Sequence, residues 1–478
     1  MVTHASDFHD FLSRMTHIMR LRILIPAVML VAAAACDSPL EVTPTGSIPE
    51  ATAINDGPSA EAALVGAYAS LRSLDYYGET LPTLPALSSD NADFDGTRTE
   101  NEEADEHRLH ADNGFVADMW AAIYDGINRT NEILTKVPDI KGMDDAERNE
   151  ILGEAYFLRA LHYHNLVKLF GGVPIRTQPA SSLADAASVT RASVADVYKQ
   201  ILSDLDQAQQ LITNTDDTRR ASRGAVFALR SRVLLYQQDW AGAVDAADSV
   251  EAMGYSLAPN FSDLFDAEGA DTPEDIFRVI FTAQDYNNIG YYYDDDWGIQ
   301  ELAPTVDLMQ AFDPNMDPND VTTYAPTDTR GQWSIQLDGD SPVGEKFRAS
   351  AGTEDFHVIR LAEVMLNKAE ALARQGQLAE AVAEYNPIRQ RAKLAPDTLG
   401  TTVIDTSNGN VLDSQDEVIA RILNERRKEL AFEGDRWPDL VRTGLATTVL
   451  GISPDMTLYP IPQREVDVTP GLTQNPGY

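Results

Sequence analysis

The sequence predicts a mainly α-helical protein, built from tetratricopeptide-like helix pairs that carry a large, irregular, loop-rich ligand face. Apolar residues recur at three- and four-residue steps over long stretches, which is the spacing of amphipathic helices. Two of these stretches can be superimposed as helix pairs. Segments rich in Gly, Pro, Asp and Tyr separate them, over residues 75–114, 254–273 and 285–354. Structureless segments of this length are usually functional or disordered, and their aromatic content argues against disorder.

The two superimposable pairs follow the packing logic of a tetratricopeptide unit. Ser231 aligns with Ala369, and Ala243 aligns with Ala381. Small side chains at these positions let two antiparallel helices approach closely across a short turn. The second pair begins more than a hundred residues after the first, so the chain is not a uniform solenoid. Pro387 predicts a kink in the last helix of the second pair, and residues 276–282 (IFRVIFT) predict a short buried strand.

The N-terminal segment has the three parts of a secretory signal peptide. Arg20 and Arg22 precede an apolar run over residues 23–31, and four alanines follow. The run is too short for an ordinary membrane-spanning helix. Cys36 comes directly after the alanines, as in a bacterial lipobox, although a buried free cysteine in an ordinary helix is the alternative. We predict a signal peptide over residues 1–35, a lipidated Cys36 with a tether over 36–58, and a single helical domain over 59–478.

Charge and motif content exclude several classes of protein. The formal net charge is -38, from 75 acidic and 37 basic residues, which argues against nucleic-acid binding because phosphate contacts need clustered Lys and Arg. The single cysteine rules out an intramolecular disulfide and a thiolate zinc site. No nucleotide-binding, hydrolase or metalloprotease motif is present. We therefore predict no catalytic residues, no cofactor and no metal. Among the histidines, His162 lies on an apolar helical stripe and is predicted to be a core residue.

Aromatic residues in the irregular segments are the candidate ligand-binding groups. A ring offers a flat apolar surface that stacks on the C–H face of a sugar, while neighbouring polar groups bind the hydroxyls. The alternative for each ring is that it only attaches a loop to the helical body. Trp120 and Trp240 lie on helical stripes and are predicted to be core residues. The predicted ligand-binding residues are Tyr76, Tyr77, Tyr292, Trp297 and Trp333.

Three motifs lie in the last third of the chain. They occupy residues 358–373 (VIRLAEVMLNKAEALA), 422–444 (ILNERRKELAFEGDRWPDLVRTG) and 458–478 (LYPIPQREVDVTPGLTQNPGY). These motifs resemble those of the SusD/RagB family of nutrient-binding outer-membrane lipoproteins. Residues 120–134 and 154–171 are also similar to family segments. The charged positions of the second motif recur at three- and four-residue steps, so they can pair along a helix or with neighbouring elements. Trp437 suits a core position. We interpret this motif as mainly structural.

The resemblance implies a function and a location. It implies a lipid-anchored protein at the surface of the outer membrane that captures a nutrient, a glycan oligosaccharide first and a peptide as the alternative. It also implies a partner, a TonB-dependent β-barrel transporter of the SusC type, and no enzymatic activity. The residues alone leave two other functions open. These are a surface glycoside hydrolase, because acidic pairs are numerous although none is marked out as catalytic, and a tetratricopeptide-type scaffold that binds protein.

Overall fold

Local signals in the sequence set the helix boundaries in the computed structural model. It describes residues 53–478 apart from 181, 183–184, 186–187, 216, 266–270, 295–297 and 401–410. The predicted signal peptide, Cys36 and Trp297 therefore lie outside the described residues. The Asp144 side chain accepts hydrogen bonds from two backbone N–H groups at the start of the longest helix. That helix ends at Gly171, whose φ of 72° favours glycine.

Paired helices form most of the molecule, which confirms the predicted fold class. The helices are α1 (Gly57–Ser70), α2 (Thr80–Leu87), α3 (Thr99–Asp105), α4 (Gly114–Lys136), α5 (Asp145–Phe170), α6 (Val194–Leu211), α7 (Arg223–Tyr236), α8 (Trp240–Glu251), α9 (Val306–Phe312), α10 (Thr329–Ser334), α11 (Leu361–Arg374), α12 (Leu378–Arg391), α13 (Gln415–Glu429), α14 (Arg436–Arg442), α15 (Ala446–Val449) and α16 (Gln463–Val468). Consecutive helices α4 to α6 pack against one another, as do α7 with α8 and α11 with α12. Contacts between α8 and α11 join the two superimposable pairs.

Close packing within the α7–α8 pair follows from its small residues. Ser231 and Ala243 are fully buried, and the Ser231 hydroxyl donates a hydrogen bond of 3.1 Å to the Ala243 carbonyl. Ala369 and Ala381, the equivalent residues of the α11–α12 pair, are fully buried as well. Pro387 lies inside α12, which continues to Arg391. Among the described residues, no helix is both long enough and apolar enough to cross a membrane.

Short two-stranded sheets connect the helical parts. The strands are β1 (Ala92–Phe94), β2 (Asp275–Val279), β3 (Leu302–Pro304), β4 (Ile335–Asp338), β5 (Ser341–Gly344), β6 (Phe356–Arg360), β7 (Thr398–Leu399) and β8 (Val411–Leu412). The pairs β1–β3, β2–β6 and β4–β5 are antiparallel, and β7–β8 is parallel. Every residue of β2 and β6 is buried, as expected for the strand predicted within residues 276–282.

The segment over residues 75–114 is not the structureless loop that its composition predicts. It contains α2, β1 and α3. All eight residues of α2 are buried, so the helix has no polar face and shows no amphipathic periodicity in the sequence. Segment 285–354 likewise contains short helices and strands. These elements order much of the face on which the ligand-binding residues were predicted.

Charged residues of the motif over 422–444 form ion pairs in the protein interior. Glu429 contacts Arg330, Arg360 and Arg391, while Glu433 contacts Lys346 and Arg360. Trp437 is buried, in the first turn of α14. Other pairs of the motif lie along one helix, Lys428 with Glu425 and Arg442 with Asp439. The motif therefore stabilises the junction of several elements through contacts both between elements and within helices.

The C-terminal tail is fixed by side-chain hydrogen bonds to backbone groups. Asn475 donates to the carbonyls of Phe170 (3.0 Å) and Tyr459 (2.6 Å). The Gln474 side chain accepts from the Ile461 N–H and donates to its carbonyl, each at 2.7 Å. The tail thus closes over the end of α5.

Candidate functional site

Tyr76 and Tyr77 are core residues, so the structure does not support their predicted contact with a ligand. They are 0% and 3% exposed. Their hydroxyls both accept hydrogen bonds from the Asn165 side chain, at 2.7 and 2.8 Å. Burial raises the pKa of each hydroxyl well above its usual range. The polar tips are satisfied inside the protein and the ring faces are covered, so we leave both tyrosines out of the candidate site.

Tyr292 lines a surface cleft, but its ring is too buried to stack on a ligand. Its exposure is 3%. The Arg98 guanidinium lies 4.8 Å from the centre of its ring, and the Tyr291 ring packs nearly perpendicular to it at 5.6 Å. Burial, and then the neighbouring carboxylate of Glu79, raise the pKa of the Tyr292 hydroxyl. Tyr292 therefore orients its neighbours from below the surface.

Tyr292, Tyr291 and Arg98 line a surface cleft of about 460 Å³, which we call the Tyr286 cleft. It is lined by Arg98, Tyr286, Asn287, Asn288, Tyr291, Tyr292, Ser350, Ala351 and Gly352. Tyr286 is 46% exposed, a larger fraction than for any other described Phe, Tyr or Trp residue. Ile299, also exposed, follows Trp297 closely in sequence. Tyr286 lies within segment 285–354 but is not among the rings predicted to bind a ligand, because composition does not separate an exposed ring from a buried one.

One wall of the cleft is held by Asn287. Its side chain donates to the carbonyls of Gly352 (3.2 Å) and Glu354 (2.8 Å), and its backbone N–H donates to the Gly352 carbonyl at 2.9 Å. Gly352 has a φ of 61°, and a Cβ atom there would lie 2.1 Å from the Asn287 carbonyl oxygen. Glycine is therefore required for the two segments to meet.

The polar end of the cleft is organised around a buried carboxylate. Glu79 accepts a hydrogen bond of 2.9 Å from the Asn288 side chain and lies 3.7 Å from the Arg98 guanidinium. Burial raises the pKa of Glu79, an effect opposed by these two neighbours. The Glu301 carboxylate accepts from the backbone N–H of Arg98 at 3.2 Å, which fixes the start of α3. The cleft thus combines an exposed ring with oriented amide and guanidinium groups, the combination that binds sugar hydroxyls.

Trp333 lies in a second, smaller pocket. We call it the Trp333 pocket; it measures about 240 Å³ and is lined by Asn260, Phe261, Ser262, Thr329, Gln332, Trp333, Arg391 and Lys393. The Trp333 ring is half-buried, and the Arg348 guanidinium lies 3.6 Å from its centre. The structure therefore places Tyr292 and Trp333 in two different depressions.

Histidines and acidic residues make no metal centre in the part of the chain that the structure describes. No group of three or more His, Cys, Asp or Glu side chains there has the geometry to hold a metal ion. His162 is fully buried in the core, as predicted, and its Nδ1 lies 3.1 Å from the Tyr76 hydroxyl. His110 pairs with Glu103 at 3.0 Å.

Two family models match most of the described chain. The model described as "Starch-binding associating with outer membrane" matches residues 62–235, and the "SusD family" model matches residues 286–456. The first includes α7 except its last residue, the second includes α11 to α13, and α8 lies between the two matched ranges. The second also includes the Tyr286 cleft residues apart from Arg98. These matches define the protein class as SusD-type binding proteins. The chain belongs to the SusD/RagB family.

Relatives extend over nearly the whole chain. SusD-like protein P38 of Formosa agariphila is 28% identical over 93% of this chain and 96% of its own length. Starch-binding protein SusD of Bacteroides thetaiotaomicron is 24% identical over 71% of this chain and 74% of its own length. The second of these relatives is named as a starch-binding protein.

Solved structures share the fold. A laminarin binding SusD-like protein superimposes with a TM-score of 0.72 at 26% identity, covering 89% of this chain and 100% of its own. A SusD superfamily protein from Bacteroides vulgatus superimposes with a TM-score of 0.77 at 23% identity, covering 88% of this chain and 99% of its own. The second likeness shows the fold alone.

Proposed function

We propose that this chain is a lipid-anchored protein of the outer-membrane surface that captures a nutrient glycan in the Tyr286 cleft and delivers it to a TonB-dependent β-barrel transporter. Membership of the SusD/RagB family supports a nutrient-binding role. The names of two relatives, starch-binding and laminarin binding, favour a glycan over a peptide. The predicted lipidation of Cys36 and the tether supply the anchor.

The exposed ring of Tyr286 beside oriented polar groups is the observation that carries this proposal. Stacking on the ring requires an apolar sugar face, and the side chains of Asn288 and Arg98 supply hydrogen-bond donors. The Glu79 carboxylate at the polar end of the cleft is buried, and none of the described residues that line the cleft is acidic. Hydrolysis of a glycosidic bond needs two carboxyl groups on either side of it. This lining favours binding without turnover.

An affinity-gel screen tests the binding. The purified protein is run through native gels that contain one polysaccharide each, with starch and laminarin among them. We expect retardation by at least one glycan and none by a peptide library presented at equal concentration. The same mixtures are then assayed for reducing ends. Release of new reducing ends by the protein would contradict the non-enzymatic role and favour the surface hydrolase.

Co-purification tests the partnership with a transporter. The C-terminally tagged protein is isolated from gently solubilised outer membranes of its own host. We expect a large β-barrel protein in near-equal amount, and we expect a Cys36→Ser variant to be lost from the membrane fraction. Isolation of the chain alone after cross-linking would contradict the transporter role and would favour the protein-binding scaffold.

A further inference from the structure

We propose that the Trp333 pocket is a second binding site, specific for the anionic group of an acidic sugar, a carboxylate or a sulfate ester. This inference rests on the proposed glycan-binding function and names the substrate class. A volume of about 240 Å³ is below the ~300 Å³ at which pockets for drug-sized ligands begin, so it suits one sugar residue rather than a chain.

Two buried N–H donors in the residues of this pocket have no acceptor. Trp333 Nε1 and Arg391 Nε are inaccessible to solvent and make no hydrogen bond to any described residue. Leaving such a donor unpaired costs about 1–3 kcal/mol, and native proteins do so rarely. Both residues line the same pocket. A carboxylate or a sulfate ester has several oxygen atoms that accept hydrogen bonds and no N–H or O–H to donate. Such a group therefore fits these two donors.

The net positive charge of the pocket comes from Lys393. Arg391 also lines the pocket, but its charge is balanced by Glu274, 2.5 Å away, and by Glu429. Lys393 is exposed and forms no ion pair with the residues that the structure describes. In a protein with a formal net charge of -38, an uncompensated ammonium beside unpaired donors marks a site for an anion.

The backbone at Lys393 is in a conformation that a lysine adopts at a cost. Its φ is 61°, in the position that follows the last residues of α12, where glycine is the usual residue. An L side chain there costs roughly 1–2 kcal/mol. The lysine adds a charged side chain to the lining of the pocket, where glycine would add none.

The aromatic ring of the pocket is held rigidly. Arg348 covers one face of Trp333 and donates a hydrogen bond of 2.5 Å to its carbonyl. The Arg348 Nε also donates to the Glu345 carbonyl at 2.9 Å. The chain then continues into residues 350–352, which form a wall of the Tyr286 cleft. The same segment thus supports both sites.

The indole N–H resonances of the five tryptophans provide a direct test. The full-chain protein in mild detergent is titrated with galacturonate, galactose 6-sulfate and galactose, and the Trp333 resonance is assigned with a Trp333→Phe variant. We expect this resonance to shift with one or both acidic sugars and not with galactose. A shift with galacturonate alone identifies a carboxylate site, and a shift with the sulfate ester alone identifies a sulfate site.

Lysine variants supply the control. Lys393→Gln and Lys393→Gly should each weaken the acidic-sugar titration at least about tenfold, and Lys393→Gly should also raise the unfolding midpoint because it relieves the backbone. Tyr286→Ala should leave this titration unchanged. A Trp333 resonance that stays fixed, or that moves equally with galactose, overturns the proposal. Either result leaves glycan retention in the affinity gels intact, so it is distinguishable from failure of the proposed function.

Discussion

Arg360 Nη1 lies 2.6 Å from Glu429 Oε1, and the two residues are 1% and 0% exposed. Arg360 ends β6 directly before α11, and Glu429 ends α13. The pair therefore joins the second superimposable helix pair to the motif over residues 422–444. Glu425 and Glu429 have pKa values held well below the usual range by the surrounding cations, despite burial, which opposes ionisation. Both are thus charged in the folded protein at neutral pH.

Neutralising Glu429 should destabilise the fold severely. In Glu429→Gln, the buried guanidinium groups of Arg330, Arg360 and Arg391 lose a shared counter-charge. Breaking a buried ion pair on one side typically costs about 3–5 kcal/mol. Urea unfolding of wild type and variant measures this loss.

The matched control is Asp125→Asn, which removes a surface pair of the same length. Asp125 lies 2.6 Å from Arg129, and both side chains are about half exposed. Surface pairs contribute about 0–1 kcal/mol. Equal effects of the two substitutions would show that the buried network is not a stabilising feature of the fold.

His162 should make the free energy of unfolding depend on pH. Burial lowers its pKa to about 3, while an exposed histidine titrates near pH ~6.5. Between these values the unfolded chain binds one more proton, so the stability that His162 contributes is present above pH ~6.5 and is lost as the pH falls toward 3. The slope is about 1.4 kcal/mol per pH unit. Denaturant titrations of His162→Gln between pH 6 and pH 4 should show a slope smaller by this amount.

A second buried histidine tests whether the effect is specific to burial. Burial also lowers the pKa of His164, so His164→Gln should remove a similar slope and the double variant should remove both. Unchanged slopes in the three variants would mean that these histidines become charged in the folded protein.

Gly352→Ala should disturb the Tyr286 cleft. The added Cβ would approach the Asn287 carbonyl, and the positive φ is unfavourable for alanine. We expect a loss of about 1–3 kcal/mol in stability and a weaker affinity for the glycan. Gly339→Ala is the control, because Gly339 has a similar φ of 58° but no atom within 4 Å of the new Cβ. It should cost about 1 kcal/mol and leave binding unchanged. Equal glycan affinity of the two variants would mean that the wall held by Asn287 takes no part in ligand recognition.

The helical framework can be predicted from the sequence because its helices have one polar and one apolar face. The α7–α8 pair followed from Ser231 and Ala243, whose small size decides how closely the helices pack. Helix α2 was missed because it is buried on all sides and contains Pro82 and Pro85, so neither periodicity nor propensity indicated it.

The candidate site is harder to predict from the sequence, for a related reason. Tyr76 and Tyr77 looked like loop aromatics, but Asn165, almost ninety residues further along the chain, satisfies both hydroxyls in the core. Tyr286, which the structure places at the cleft, is a loop aromatic like them but is 46% exposed. The position of a ring relative to distant helices is a property of the tertiary structure, and one sequence does not contain a local signal for it.

Glycan affinity of a Tyr286→Ala variant tests the central claim most directly. The full-chain protein is titrated calorimetrically with the glycan that retards it in affinity gels, alongside Met253→Ala, which truncates another residue that is about 40% exposed. Loss of an aromatic stacking surface should weaken binding at least about tenfold, or ~1.4 kcal/mol, without changing the unfolding midpoint. Met253→Ala should bind as the wild type does. Wild-type affinity in Tyr286→Ala would contradict the assignment of this cleft as the glycan-binding site.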